Sequence, residues 1–338
     1  MSGMIISVAS GAKNDIKFGG VQGPMTVLMQ DNHARFENDP LFNTWKKIFL
    51  EYGLESAMAT IAGICGIGMF EDVGENGKYP MTDMPDGFTK LVSALEWKMG
   101  VSISQTAMED KLKQVMQNNA RTLTEGYAKT RCHFFWGLLS AALENRDYIT
   151  KLGRKVSVKT MDGVNVFSTG HKLANAKGTV SNAFSDEFST DSLGKVATRM
   201  QNMVDDNGEI IGMNPDTIFI PNTEDAKREV FGVLGATHDP DTPAGNKYNY
   251  QFGNWEVVTV PWLVPLVKNG KFPWMLMDSG YNESNYGARD VERVPLTVNS
   301  FINNDNDANV WSGRGRFGGA FIDFRAFAAG GVDFGTEA

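Results

Sequence analysis

The sequence predicts an α+β fold. Three observations carry that expectation. Residues from about Thr106 to Asn145 keep helical apolar spacing without a proline, and strand-like runs alternate with short helices further along the chain. Glycine is in excess, 36 of 338 residues, against a usual share of about 7%, so many turns, bulges and close backbone approaches are expected. Hydrophobic residues at 42% and charged residues at 21% are ordinary globular usage. The length suffices for two moderate domains or one elaborated domain.

Residues 1 to about 40 carry Gly3, Gly11, Gly19, Gly20, Gly23, Pro24 and Pro40 and no sustained helical periodicity, which predicts an extended arm. Its apolar residues, Ile5, Ile6, Val8, Ile16 and Phe18 among them, would then need a neighbour's surface for burial. Between Asp39 and Thr60, Pro40 follows a capping Asp39, and Leu41, Trp45, Ile48, Phe49 and Tyr52 recur at spacings that predict a helix with one apolar face. The apolar run Ala57 to Phe70 reads as buried core, too short and too glycine-rich to span a bilayer. From Glu71 to Gly100 the chain is first acidic and turn-rich (EDVGENGKYPMTDMPDG). It then becomes FTKLVSALEWKMG, the returning strand of a long hairpin that projects from the body.

Met108, Leu112, Val115, Leu123, Tyr127, Phe134, Leu138 and Ala142 line one face of the long helix, with Lys, Arg, Gln and Glu on the other. A helix from Thr106 to Asn145 would be roughly 60 Å long, the length of a strut. Short strands follow around Lys155 to Phe167. A second helix from about Thr190 to Val204 is lined by Leu193, Val196, Ala197 and Met200, and Asp205, Asp206, Asn207 and Gly208 end it. DTIFIP is a strand, Thr223 to Leu234 a further helix, and NWEVVTVPWL and FPWMLMD two buried strands. RFGGAFIDFRAFAAGG alternates as one final strand, and no internal repeat is present.

The formal net charge is −8 and the pI about 5.2, with no long run of Lys or Arg. Tight sequence-dependent nucleic-acid binding is therefore not expected. Neither Cys65 nor Cys132 belongs to a CxxC pair, so both are expected as buried, reduced thiols. Met1 to Ser10 lacks the basic and apolar regions of a signal peptide.

Each candidate chemistry fails on its context. Gly313, Gly315 and Gly318 spell GxGxxG, but dinucleotide binding needs a strand before the glycines and a helix after them, and strand-like Phe317, Phe321, Asp323, Phe324 and Phe327 follow instead. Asp305, Asp307 and Asn309 resemble the start of a calcium loop, yet Val310 and Arg316 stand where Gly and Glu are wanted. His33, His133, His171 and His238 are scattered, and His133, beside Phe134, Phe135 and Trp136, is expected to pack or cap. Asp205 and Asp206 are expected to cap or face solvent. No GxxxxGK[ST] or GxSxG occurs.

The order of elements resembles the Hong Kong 97-type fold of tailed-phage coat proteins. LEWKMGVSISQTAMEDKL, NVFSTGHKL with GTVSN, DDNGEIIGMNPDTIFIP, NWEVVTVPWL and GRGRFGGAFIDFRAF are similar to runs of the Mu-type major head subunit branch and span about 91 to 330 in order. The resemblance implies a major capsid protein that self-assembles into an icosahedral head shell around the genome. It also implies an N-terminal arm at 1–40 and a peripheral domain from 41–70, 101–187 and 292–338 with a spine helix at about 106–145. An extended loop at 71–100 and an axial domain at 188–291 complete it. The implied partners are copies of itself in pentamers and hexamers, a separate scaffolding protein, a portal, decoration proteins and packaged double-stranded DNA contacted non-specifically, with no membrane. No catalytic, cofactor-binding or metal residue and no cofactor is implied. The expected location is the virion, after synthesis in the bacterial host cytoplasm. Alternatives are an encapsulin-like compartment of the same fold and, from a different class, a nicotinamide-dependent enzyme using Gly313 to Gly318. Some relatives crosslink a Lys to an Asn; Lys78 or Lys90 would be the candidates, but a lysine on a charged loop is expected to be solvated, and the shell to be noncovalent.

Overall fold

A computed structural model describes residues 5–8, 22–64, 72, 78–79, 81, 86–106, 113–238 and 248–331. Its first elements are β1 (Ile5–Val8), α1 (Gln22–Glu37), α2 (Pro40–Asn43), a 3-10 turn (Thr44–Lys47), β2 (Leu50–Gly53), β3 (Met58–Ile64), β4 (Asp86–Ser93) and β5 (Leu95–Ile103). The long helix α3 (Lys113–Leu143) follows, then β6 (Tyr148–Ile149), β7 (Lys155–Val156), β8 (His171–Lys172), β9 (Thr179–Val180) and α4 (Thr190–Gln201). The chain continues through β10 (Thr217–Pro221), α5 (Glu224–Leu234), β11 (Glu256–Val260), a 3-10 segment (Pro261–Leu266), β12 (Trp274–Met277) and α6 (Ser279–Ser284). It closes with β13 (Ala288–Asn303), β14 (Ala308–Phe321) and β15 (Phe327–Gly330). The described residues fall into two compact units, one within Met1–Ala59, Val92–Phe135 and Asp290–Gly319, the other within Thr60–Leu91, Trp136–Arg289 and Ala320–Ala338.

The first unit is built on a sheet ordered β1-β13-β14-β5, with β2 also paired to β13. β5 runs antiparallel to β14, from Leu95 opposite Phe317 to Ile103 opposite Asn309. Phe317 is the centre of the core: Trp97 stacks on it at 5.1 Å, and Tyr127 of α3 meets it edge-on at 5.7 Å. Trp45 stacks at 4.0 Å on Phe135, which is fully buried. Offset and edge-to-face ring pairs add to what area burial alone supplies.

Two expectations are corrected here. The arm is not extended between Gln22 and Glu37: this stretch is helical, with Pro24 tolerated in the first turn and Met29, His33 and Phe36 buried at helical spacing. Residues 5–8 of the same stretch pair in parallel with Thr297–Ser300 of their own chain, while 1–4 and 9–21 lie outside the described residues. The helix expected from Asp39 to Thr60 stops at Asn43, whose Nδ2 lies within hydrogen-bond reach of the carbonyls of Phe36, Glu37 and Asp39 at 2.6, 3.0 and 2.9 Å. That ties the turn to α1 and not to a continuing helix. Trp45, Ile48 and Phe49 are still buried, but from a 3-10 turn that leads into β2.

In the second unit, β11-β10-β12-β15 form a sheet, with β10 parallel to β11 and antiparallel to β12. β10 is buried along its whole length, as expected of a strand covered on both faces. Ile218 and Ile220 point to the core made by Leu193, Val196 and Met200 of α4 and Ala226 and Val230 of α5. Phe219, one residue out of phase, faces Trp136 of α3, which stacks on Trp262 at 6.1 Å. α4 begins where Ser189 and Ser192 exchange side-chain to backbone bonds in a capping box, and α5 where Thr223 caps a first turn carrying Glu224 and Asp225.

β3 and β4 pair as a two-stranded ribbon. Only Ile61 of the described β3 side chains is buried and Met58 is 57% exposed, so Met58 to Gly63 is not the buried core expected of the apolar run. Most of the expected hairpin tip (71, 73–77, 80, 82–85), together with 65–70 and 107–112, lies outside the described residues. The expected single final strand is also corrected, since it is two strands in two sheets. After Phe321 the chain turns: Ile322 N–H donates to Gly287 O at 2.7 Å and Asp323 Oδ1 accepts from Arg325 N–H at 3.0 Å, before β15 pairs with β12.

Candidate functional site

The glycines of the GxGxxG run are packing positions on β14. A Cβ on Gly315 would lie 2.7 Å from the ring and hydroxyl of Tyr127, and one on Gly318 only 2.4 Å from the Ser93 carbonyl oxygen. Such approaches are closer than carbon tolerates, so the run lets α3 and the end of β4 lie against the strand. Gly315→Val is expected to destabilise the folded chain by about 1–3 kcal/mol through overpacking. A urea titration would show it as a lower midpoint, and an unchanged midpoint would mean that Tyr127 moves aside without cost.

Asp305, Asp307 and Asn309 belong to the β13–β14 hairpin. Asn303 Oδ1 accepts from Asp305 N–H at 3.1 Å, Asn306 Oδ1 from Ala308 N–H at 3.2 Å, and Asp307 takes a positive φ of 50°. These are turn-forming bonds. Among the described residues no group of three or more His, Cys, Asp or Glu is placed to hold a metal ion. Cys132 is buried and is not part of a disulfide, whereas Cys65 lies outside the described residues.

The histidines separate physically. His133 is exposed, contrary to the packed role expected of it, and so is His238. His171 is fully buried, with Nδ1 2.7 Å from Asp162 Oδ2, Nε2 3.1 Å from Asn182 Oδ1, and its ring stacked 3.7 Å from Phe324. Asn182 Nδ2 lies within hydrogen-bond reach of the carbonyls of Val166, Phe324 and Phe327 at 2.7, 3.2 and 3.0 Å. This network joins the β8–β9 region to the turn before β15.

A cavity of about 460 Å³ in the second unit is walled by Asp162, Asp205, Asp206, Tyr281, Asp323 and Arg325, among others. Each carboxylate there is bonded to the protein. Asp205 Oδ1 accepts from Asn207 and Glu209 N–H, Asp206 takes Arg325 at 2.8 Å, and Asp323 accepts from Tyr281 Oη at 3.0 Å. Asp206 thus holds a buried arginine, a role the expectation of a capping or solvated pair missed. Lys90 also departs from its expected solvation, donating to Phe321 O at 2.6 Å and to Lys159 O. Burial pulls its ammonium down to about 8, against the attraction of Asp147 and Asp162. Lys78 is exposed.

Sequence reasoning also missed Arg131. It sits on the buried stripe of α3, four residues after Tyr127 and four before Phe135, and was assigned to the polar face. Its guanidinium is buried, bonded to Asp290, 3.6 Å from Glu292 Oε2, and 5.2 Å from both the Trp45 and the Phe317 ring centroids. The register with Tyr127 was the available signal.

Large apolar side chains also reach solvent. Tyr248, Tyr250 and Phe252 alternate along one exposed segment at 71%, 60% and 40% exposure, and Phe231, Leu152 and Ile210 add to the second unit's exposed apolar side chains. Exposed groups of this kind suit contacts with other protein surfaces. No described helix is long and apolar enough to cross a membrane.

The family model described as phage capsid protein matches residues 87–330, which include β5, the long helix and both sheets' closing strands. The chain belongs to the phage capsid protein family, has an α+β architecture, and is a shell-forming capsid protein. No curated protein sequence matches it. Similar solved structures include the capsid of an empty GTA particle, at 13% identity and TM-score 0.48, covering 86% of this chain and 90% of that one. The mature capsid of bacteriophage PhiM1 is similar at 11% identity and TM-score 0.47, covering 85% and 86%. The bacteriophage JBD30 capsid is similar at 16% identity and TM-score 0.46, covering 67% and 93%.

Proposed function

We propose that this chain is the major capsid protein of a tailed phage of the Mu-type branch, closing into an icosahedral shell of pentamers and hexamers around double-stranded DNA. The observation that carries this reading is the family match across 87–330, the part of the chain that holds the long helix and most of both sheets. In the proposed subunit, residues 188–291 form the axial domain and 41–70, 101–187 and 292–338 the peripheral domain. Of the proposed extended loop at 71–100, the ribbon of β3 and β4 carries the part before β5 over a neighbour, while residues 95–100 pair with β14 of their own chain, and the described part of 1–40 supplies contacts beside it.

A shell subunit meets its neighbours through heterologous contacts that must close. Contacts that are individually modest suffice when repeated, because each further one forms at high effective concentration. The net charge of −8 suits a lining that does not hold DNA through many neutralised phosphates. A separate scaffolding protein, a portal and decoration proteins are the proposed partners, the virion is the place of action after synthesis in the host cytoplasm, and the role is structural and not enzymatic. The shell is proposed to be held noncovalently, in keeping with Lys90 being engaged by backbone carbonyls of its own chain.

Negative-stain electron microscopy of the chain coexpressed with its neighbouring genes tests this. Closed particles of uniform size are the expected result, and rings, tubes or dispersed subunits would overturn it. Particles that load a docked cargo peptide and no DNA would favour the encapsulin-like alternative.

A further inference from the structure

The Arg131 cluster lies wholly within the first unit and has more negative than positive groups. One guanidinium faces two carboxyls, bonded to Asp290 and 3.6 Å from Glu292. The second oxygens of those carboxyls, Asp290 Oδ1 and Glu292 Oε1, are buried without a hydrogen-bond partner, as are Tyr127 Oη and Arg131 Nε. The charged and titratable groups around them are Arg131 and Tyr127 from α3, Glu292 from β13 and Glu51 from β2. Lys46 lies beyond Trp45, its Nζ 5.8 Å from that ring, and from α1 the His33–Glu37 pair at 3.3 Å lies beside Tyr127. Two bare carboxylate oxygens among aromatic rings, with one cation between them, would leave a buried negative charge uncompensated, and binding a proton removes that cost.

We propose that the buried cluster of Arg131, Asp290 and Glu292 makes the first unit pH-sensitive: Asp290 holds a proton below neutral pH, and its release weakens the packing of α3 on β13. Burial pushes the Asp290 carboxyl up to about 7, and Glu292 and Glu51 add to that push while Arg131 opposes it. Because the folded chain keeps a proton that the unfolded chain has released, stability falls as pH rises from the ordinary carboxyl range through about 7. Two other groups have the opposite slope in other windows. Burial would raise the Asp162 carboxyl, but hydrogen bonds from His171 and Thr160 outweigh it and hold it low, so its contribution is lost only in acid. Lys90 is drawn down to about 8, so it favours the folded chain increasingly above that pH. Glu229, raised by burial and by Asp225 and Glu187, slopes the same way as Asp290, so the variants below assign the dependence between about pH 5 and 7.5 to the proposed site.

Urea unfolding of the full-length chain at one fixed concentration across that interval tests the site whether or not particles form, so a failed shell assignment would not affect the result. The unfolding equilibrium constant of the wild type should rise by up to about tenfold per pH unit. Asp290→Asn and Glu292→Gln should each flatten the dependence, the second by leaving Asp290 opposite Arg131 with charges balanced. A flat wild type, or variants that keep its slope, would overturn the site. Should neither variant fold, infrared spectroscopy of the wild type decides: a buried carboxylic-acid carbonyl band at about pH 6 that fades by about pH 8 supports the site, and its absence overturns it.

Discussion

Arg131→Met is expected to lower the stability of the folded chain by about 3–5 kcal/mol, because it strands a buried negative charge. The guanidinium is the cation that Asp290 and Glu292 face, and it also fills the space between the Trp45 and Phe317 rings. Methionine restores most of the volume, so the loss reads mainly as electrostatics. Burial alone would disfavour the charge on Arg131, and Asp290, Tyr127 and Glu292 more than offset it, so its proton is held tighter than in water. The same reasoning predicts that the variant with Arg131→Met and Asp290→Leu together recovers much of the loss, since removing both partners leaves one fewer buried charge. Urea midpoints of the two single variants and the double variant make a thermodynamic cycle. Equal and additive losses would mean that the pair contributes nothing as a pair.

Leu123→Pro should be the other large effect, at about 3 kcal/mol or more from the backbone alone. Leu123 lies inside α3, whose 31 residues span roughly 45 Å. Proline there removes a helical hydrogen bond and pushes its ring against the preceding turn, and the lost leucine opens space beside Gly313, whose Cβ position is 3.6 Å from Leu123 Cδ1. Leu123→Ala shares the packing loss and not the backbone break, so the difference between the variants isolates the helix. Soluble Leu123→Pro protein that still forms particles would show that an unbroken α3 is not needed for the shell.

The elements that could be read from the sequence were those specified by near neighbours. α4 declares itself through Leu193, Val196, Ala197 and Met200 at helical spacing, and α5 was placed at Thr223 to Leu234, each within a few turns of chain; the caps at Ser189 and Thr223 came from the structure. β10 is a continuous apolar run because both of its faces are covered, and the long helix keeps its stripe over many turns. The capsid assignment likewise rested on local runs in the right order, and the family match across 87–330 bears it out.

Where the reading failed, distant residues made the decision. Helical spacing from Leu41 to Tyr52 was real, yet Asn43 bonds back to the end of α1 and Leu50–Gly53 has a strand partner in β13, far along the chain. Met29, His33 and Phe36 had helical spacing too, hidden behind glycines and a proline that a first turn tolerates.

By itself, the sequence determined the helices with apolar stripes, the buried strands and the family, because propensity and periodicity act over a few residues. The tertiary structure alone decided which of the remaining polar and small residues matter. Arg131 meets Asp290 across 159 residues of chain, Gly315 is needed because Tyr127 occupies the space a Cβ would take, and the turn at Asp323 and Arg325 sends the last strand into a different sheet. Charge compensation and close packing are set by whatever lies within a few ångströms in space, and separation along the chain does not report that distance.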